Sequence, residues 1–168
     1  GRLDTRVLRD AVNEIVRRHE SLRTVFRVRD GKPEQVVLPE QTIDLPEVDL
    51  RDAPPRGADL GRRVADELRE PFDLAAGPLL RMKLLRLGAE EYVLGVVMHH
   101  LISDGWSVGV LLSELSALYQ AFSEGRPSPL PALRIQYGDF ATWQQRRSRE
   151  DELRADLAYW REHLAGAP

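Results

Sequence analysis

Two adjacent imidazoles, His99 and His100, precede Leu101-Ile102-Ser103-Asp104-Gly105-Trp106-Ser107. An imidazole titrates near neutral pH, so it can accept a proton from an amine or hydroxyl nucleophile, or hold that nucleophile by a hydrogen bond. Asp104 adds a carboxylate. Gly105 adds a backbone N–H that a developing oxyanion could approach with no side chain in the way. Each residue also has a plain reading: a histidine bonded to a backbone carbonyl, a helix-capping carboxylate, a turn glycine. Other chemistries fit poorly. Side chains at adjacent strand positions diverge, and no HExxH, thiolate or third ligand accompanies the histidines, so no metal site is expected. Ser103 falls in a predicted turn without a GxSxG elbow, which speaks against a serine hydrolase. Glycine-rich phosphate loops are absent, and no intrinsic cofactor is expected.

The elements that must carry these residues can be read from periodicity. Tyr92 to His100 reads as a strand, so one histidine should face a cleft and the other should pack inward. Asp104-Gly105 suits a sharp turn, since glycine accepts positive φ and aspartate can bond its own local backbone. Val108, Leu111, Leu112, Leu115, Leu118, Tyr119 and Phe122 then recur at helical spacing, with Asp104 or Ser107 as N-cap and Gly125 and Pro127 as the stop. Leu79 to Leu87 should pair with Tyr92 to His100 across the polar turn 88–91, as an antiparallel hairpin.

Upstream, Leu3, Val7, Leu8, Ala11, Val12, Ile15 and Val16 define an amphipathic helix ending near His19-Glu20. Leu22 to Arg29 reads as a strand, Asp30-Gly31 as a hairpin turn and Gln35 to Leu38 as the return. Prolines 39, 46, 54 and 55 mark residues 39–57 as loop with one short strand, and Leu60 to Leu68 as the next helix. A proline-rich connection over 123–131 leads to a helical region from about Gly138 to Ala165, broken near Ser148. Tyr137, Asp139 and Trp143 form a packing cluster at its start, where Asp139 suits the helix dipole. The expected class is α+β, with mostly antiparallel strands and helices covering one face.

Bulk properties narrow the partners. The 168 residues fit one domain with a real core, and 42% hydrophobic with 30% charged residues is an ordinary soluble balance. A net charge of −3 gives no footprint for nucleic acid. The lack of cysteine removes disulfides and thiol chemistry. The longest apolar run is too short to cross a bilayer. Gly1-Arg2-Leu3-Asp4 leads straight into a helix with no visible leader, so a cytoplasmic protein is the default expectation.

The run His99-His100…Asp104-Gly105 resembles the HHxxxDG motif of nonribosomal peptide synthetase condensation domains. Arg18-His19-Glu20-Ser21-Leu22-Arg23-Thr24-Val25-Phe26 is similar to the RHExLRTxF stretch of that family. Tyr137-Gly138-Asp139-Phe140-Ala141-Thr142-Trp143 is similar to YxDFAxW, and Tyr159-Trp160 with Leu164 to Pro168 to YWxxxLxGAP. The four matches run in the family's order from residue 18 to residue 168.

The resemblance implies a chloramphenicol-acetyltransferase-like fold. It implies that residues 1–168 are part of a condensation domain: an N-terminal subdomain without its first strand and without the C-terminal subdomain, and so inactive alone. It also implies that His100 faces the tunnel where two thioester-bound substrates meet, as general base or as the group that orients the amine and steadies the oxyanion. Gly105 would line that tunnel, and His99 would serve packing. Asp104 would pair with a buried arginine of the absent half, or simply cap the helix. Arg18 and Arg23 would support the site from beneath, and Trp106 would line the tunnel or cover the core. Substrates would arrive on the 4′-phosphopantetheine arms of upstream and downstream peptidyl carrier domains, beside an adenylation domain. The rivals are a catalytically idle fragment that only binds a carrier or partner, and another HxxxD acyltransferase using coenzyme A or a hydroxyl acceptor. Trp106-Ser107-Val108 after the glycine, and intact paired histidines, favour peptide-bond formation over epimerising or cyclising relatives.

Overall fold

The computed structural model describes residues 2–52, 57–147 and 150–166. They form two compact units, Gly1–Leu133 and Arg134–Pro168. The first contains α1 (Thr5–Arg18), a 3₁₀ turn (Glu20–Arg23), β1 (Thr24–Arg29), β2 (Lys32–Val37), β3 (Glu47–Asp49), α2 (Ala58–Glu67), β4 (Leu80–Arg86), β5 (Tyr92–Met98) and α3 (Gly105–Ser123). The second contains α4 (Tyr137–Arg147) and α5 (Glu150–His163).

Helix α1 starts where the Asp4 carboxylate accepts hydrogen bonds from the N–H groups of Arg6 and Val7, satisfying two of the amides a helix start leaves open. Its buried stripe is Val7, Leu8, Ala11, Val12, Ile15 and Val16, and Arg17 and Arg18 complement the dipole at its end. The strand predicted from Leu22 begins only at Thr24. Residues 20–23 instead close a 3₁₀ turn, with the Leu22 N–H on the His19 carbonyl and the Thr24 hydroxyl on the Glu20 carbonyl at 2.7 Å. β1 and β2 pair antiparallel through Asp30 and Gly31, both at positive φ (51° and 75°), the two-residue turn that suits the twist of paired strands.

The second sheet has the order β3-β4-β5, antiparallel from Leu80↔Met98 to Arg86↔Tyr92 and parallel where β3 runs along Leu84 to Arg86. Leu80, Met82 and Leu84 point from one face of β4 into a core with Ile15 and Val12 of α1 and Leu111, Leu115 and Leu118 of α3. The opposite face carries α2, contrary to the expected cover on one side only. A Cβ on Gly95 would stand 2.8 Å from Leu68 Cδ1 and 3.1 Å from Val64 Cγ1, and Lys83 Nζ lies 3.1 Å from Glu67 Oε2. The apolar stripe of α2 is short, Leu60, Val64 and Leu68, which hides its second-face role in the pattern. Asn13 pins the loop before β3, accepting from the Ile43 N–H at 2.8 Å and donating to its carbonyl at 3.2 Å. Every buried side-chain nitrogen and oxygen among the described residues has a partner.

In the second unit the rings of Tyr137, Phe140 and Trp143 follow one another at 5.9 and 5.7 Å, and the Asp139 carboxylate accepts the Gln136 N–H at 2.8 Å. Tyr159 stacks on His163 at 4.4 Å. The break predicted near Ser148, like prolines 54 and 55 and the Ala167-Pro168 end of the last motif, lies outside the described residues.

The stripe of α3 is narrower than its sequence suggests. Leu118 is fully buried, but Val108 and Leu112 are 43% and 53% exposed. Leu118→Ala should therefore lower the unfolding free energy of the chain by about 2–5 kcal/mol. Leu112→Ala, on the same helix, should cost no more than about 0.5 kcal/mol. Urea unfolding of the two variants beside the parent checks the difference, and equal losses would contradict this assignment of the core.

Candidate functional site

The site grows from the end of β5. The strand stops at Met98, so the histidines lie past it rather than within it, and strict alternation no longer governs them. The His99 N–H still bonds the Leu79 carbonyl at 2.9 Å, the last rung before the chain leaves the sheet. Its ring packs edge-on against Phe72, with centroids 6.0 Å apart, and Nδ1 accepts the Leu101 N–H at 3.1 Å. That acceptance leaves the proton of a neutral ring on Nε2. The Ile102 N–H closes a turn onto the His99 carbonyl at 3.0 Å, and the buried Ile102 side chain anchors the turn in the core. His100 occupies the outside of this turn. It is exposed, and among the described residues its ring has no hydrogen-bond or ion-pair partner.

Asp104 is the N-cap of α3. Its carboxylate accepts the Ser107 N–H at 2.9 Å and the Ser107 hydroxyl at 2.6 Å, and Ser107 Oγ accepts the Asp104 N–H at 3.1 Å, a reciprocal box. The Ser107 hydroxyl, then its N–H, holds the Asp104 carboxyl below the usual aspartate range. Of the two readings of Asp104, the described contacts are those of the cap. Gly105 is the first helical residue and has no positive φ, so the tight turn expected at Asp104-Gly105 falls instead on residues 100–102. A Cβ at Gly105 or Gly109 would meet nothing within 4 Å. Neither backbone strain nor internal crowding asks for glycine at these two positions. Trp106 is 83% exposed and covers none of the core.

Arg18 and Arg23 part company. Arg18 Nε sits 3.1 and 3.2 Å from the two carboxylate oxygens of Glu114 on α3, and its guanidinium also donates to the Pro131 carbonyl. His19 Nε2 lies 2.7 Å from the same carboxylate. The Arg18 and Glu114 side chains are only 9% and 13% exposed, so this is a largely desolvated cluster. Arg23 donates instead to the Leu38 carbonyl and to Glu20, which fastens the β1–β2 hairpin to the 3₁₀ turn. Gly105, Trp106, Gly109, Val110, Ser113 and Glu114 line one concavity of about 470 Å³ along α3. The described residues therefore link Arg18 to the helix that starts at Asp104, while the described bonds of Arg23 stay with the hairpin.

Glu114 and His19 escape a motif-by-motif reading. The signal was present: Glu114 lies on the same face as Leu111, Leu115 and Leu118, and a carboxylate on a core stripe needs a cation. Among the described residues, no group of three or more His, Asp or Glu could hold a metal ion.

An exposed histidine precedes a helix that starts on glycine, in an α+β unit, and similarity to known proteins gives that unit a family. The condensation-domain family profile matches residues 1–168, and the chain belongs to that family. Chondramide synthase cmdD of Chondromyces crocatus is 47% identical over 167 residues, 98% of this chain and 4% of that protein. Phosphinothricin tripeptide synthetase PhsC of Streptomyces viridochromogenes is 46% identical over 166 residues, 98% of this chain and 15% of that one. Among solved structures, the X-domain from teicoplanin biosynthesis superposes with a TM-score of 0.86 at 31% identity, and the epimerization domain of the third module of tyrocidine synthetase B with 0.82 at 27%. Each is covered over 37% of its own length, so this chain spans well under half of those chains.

The capping box yields a titration. Because the native carboxyl is held low, its contribution to stability is complete above the ordinary aspartate value of about 3.9 and is lost as pH falls through the native value. In Ser107→Ala the Asp104 carboxyl should titrate higher than in the parent, followed by carboxyl ¹³C NMR. An unmoved midpoint would remove Ser107 as the cause.

Proposed function

We propose that the chain serves amide-forming acyl transfer in nonribosomal peptide synthesis, joining a carrier-bound aminoacyl or peptidyl thioester to the amine of a second, carrier-bound aminoacyl thioester. What supports this reading is that His100 is exposed with no ring partner among the described residues, five positions before Gly105, where an added Cβ would meet nothing within 4 Å. As the first residue of α3, Gly105 has a backbone N–H with no intrahelical acceptor. That amide can donate to the oxyanion formed when the amine attacks the thioester carbonyl. The C–N bond forms, the C–S bond breaks, and the amine proton ends on the departing thiolate. His100 takes that proton in passing or orients the amine by a hydrogen bond. Holding two tethered reactants together supplies much of the rate.

The partners on this reading are the upstream and downstream peptidyl carrier domains with their 4′-phosphopantetheine arms, an adenylation domain, and the remainder of the condensation domain, which residues 1–168 do not contain. No helix among the described residues is long and apolar enough to cross a membrane, and a cytoplasmic synthetase is the setting proposed. A second reading has one observation behind it. The X-domain, 31% identical to this chain, is also solved in complex with OxyB, so the same fold can serve as a protein-docking surface.

In the synthetase that carries this chain, His100→Ala should lower amide formation from loaded carriers by about 10²–10⁴-fold without changing the thermal midpoint. Unchanged product yield would overturn the role of His100. Loss of partner binding in that variant, with no condensation in the parent, would favour the docking reading.

A further inference from the structure

The geometry points to Glu114 as a positioning residue: by locking the rotation of α3 about its own axis, it aims Gly105 and the row of small residues behind it. The kinetic part of this inference rests on the proposed acyl transfer; the geometric part rests on the chain alone.

The first turns of α3 have no hold on the core. From Gly105 to Val110 no side chain is buried, and Leu111 is the first that is. Between Ile102, buried just before the N-cap, and Leu111, the start of α3 makes no buried side-chain contact of its own. Leu111, Leu115, Leu118 and Ala121 keep α3 against the body and set which face turns inward, but none of them lies before residue 111. Sterics do not fix that start either, since added Cβ atoms at Gly105 and Gly109 would meet nothing within 4 Å. A charge-assisted hydrogen bond is directional. Glu114 lies nine residues along α3 from Gly105, about two and a half turns. Its carboxylate is held by Arg18 Nε on both oxygens (3.1 and 3.2 Å) and by His19 Nε2 at 2.7 Å, while Arg18 is itself fixed to the Pro131 carbonyl. At the far end of the helix, the Tyr119 hydroxyl accepts the Asp4 N–H at 2.9 Å. Of these two directional contacts, Glu114 is the one nearer the motif. It also lines the same concavity as Gly105, Gly109 and Ser113, so the roll it sets decides which side chains face that space.

The test uses three variants of the intact synthetase. Glu114→Gln removes the charge. Arg18→Lys keeps a cation but loses the planar fork, and so serves if Glu114→Gln folds poorly. Glu14→Gln is the control, breaking the surface pair with Arg17 on α1. The first two should lower kcat for amide formation by about 10- to 100-fold. Their KM for the loaded acceptor carrier should stay within about twofold. The control should leave both unchanged. In the chain itself, the Gly105 and Gly109 amide resonances should shift in Arg18→Lys and stay in place in Glu14→Gln. Unchanged kcat, unmoved resonances, or an equal loss in the control would each overturn the positioning role. If the parent synthetase forms no amide, the acyl-transfer reading fails, and the resonances alone decide whether Glu114 sets the helix.

Discussion

Everything at the candidate site depends on one seam, where α1 and α3 meet over a face of β4. Ile15, Val16, Leu118, Leu80 and Met82 are almost wholly withdrawn from water there. Burial of that kind is strong and fixes which faces meet. Polar contacts tie the edges of the seam: Asp4 with Tyr119 at one end, Arg18 and His19 with Glu114 toward the other. β4 sets where β5 ends, α1 sets where α3 lies, and the loop between β5 and α3 has little freedom left. A histidine on that loop is positioned by packing several residues away from it.

The loop adds its own local closure. His99 binds the turn through both its carbonyl and its ring, Ile102 plugs the turn into the core, and Asp104 and Ser107 close the helix start. Structural duty thus falls on His99, Ile102, Asp104 and Ser107, while among the described residues the His100 ring has no partner and a Cβ at Gly105 would meet nothing within 4 Å. That division of labour is a chemical statement about the motif, because a residue with no structural partner is available to a substrate.

Much of this was legible in the sequence. The α1 stripe, the Asp30-Gly31 hairpin and the β4–β5 pair follow from periodicity and turn chemistry, which are local properties. One misreading is local, and the others come from tertiary context. Residues 20–23 form a 3₁₀ turn because the Thr24 hydroxyl reaches back to Glu20. Val108 and Leu112 look like core but stand outside it. α2 looks incidental, yet it covers the second face of the sheet. The Glu114 cluster joins residues 95 and 96 positions apart in sequence, and no local pattern reveals such a pairing. The fold also fails to separate the activities of its relatives. An epimerization domain and an X-domain both superpose closely on this chain, so the case for condensation lies in side chains and not in topology.

Trp106 gives the molecule a property of a different kind. An indole 83% in water, one residue beyond Gly105, is a native fluorophore at the mouth of the concavity along α3. Its emission in the free chain belongs to a polar surrounding. Any carrier arm, substrate or protein face that seats against the start of α3 must first displace that water. Occupancy of this surface is therefore written into an optical signal, with Trp143 and Trp160 of the second unit as a background.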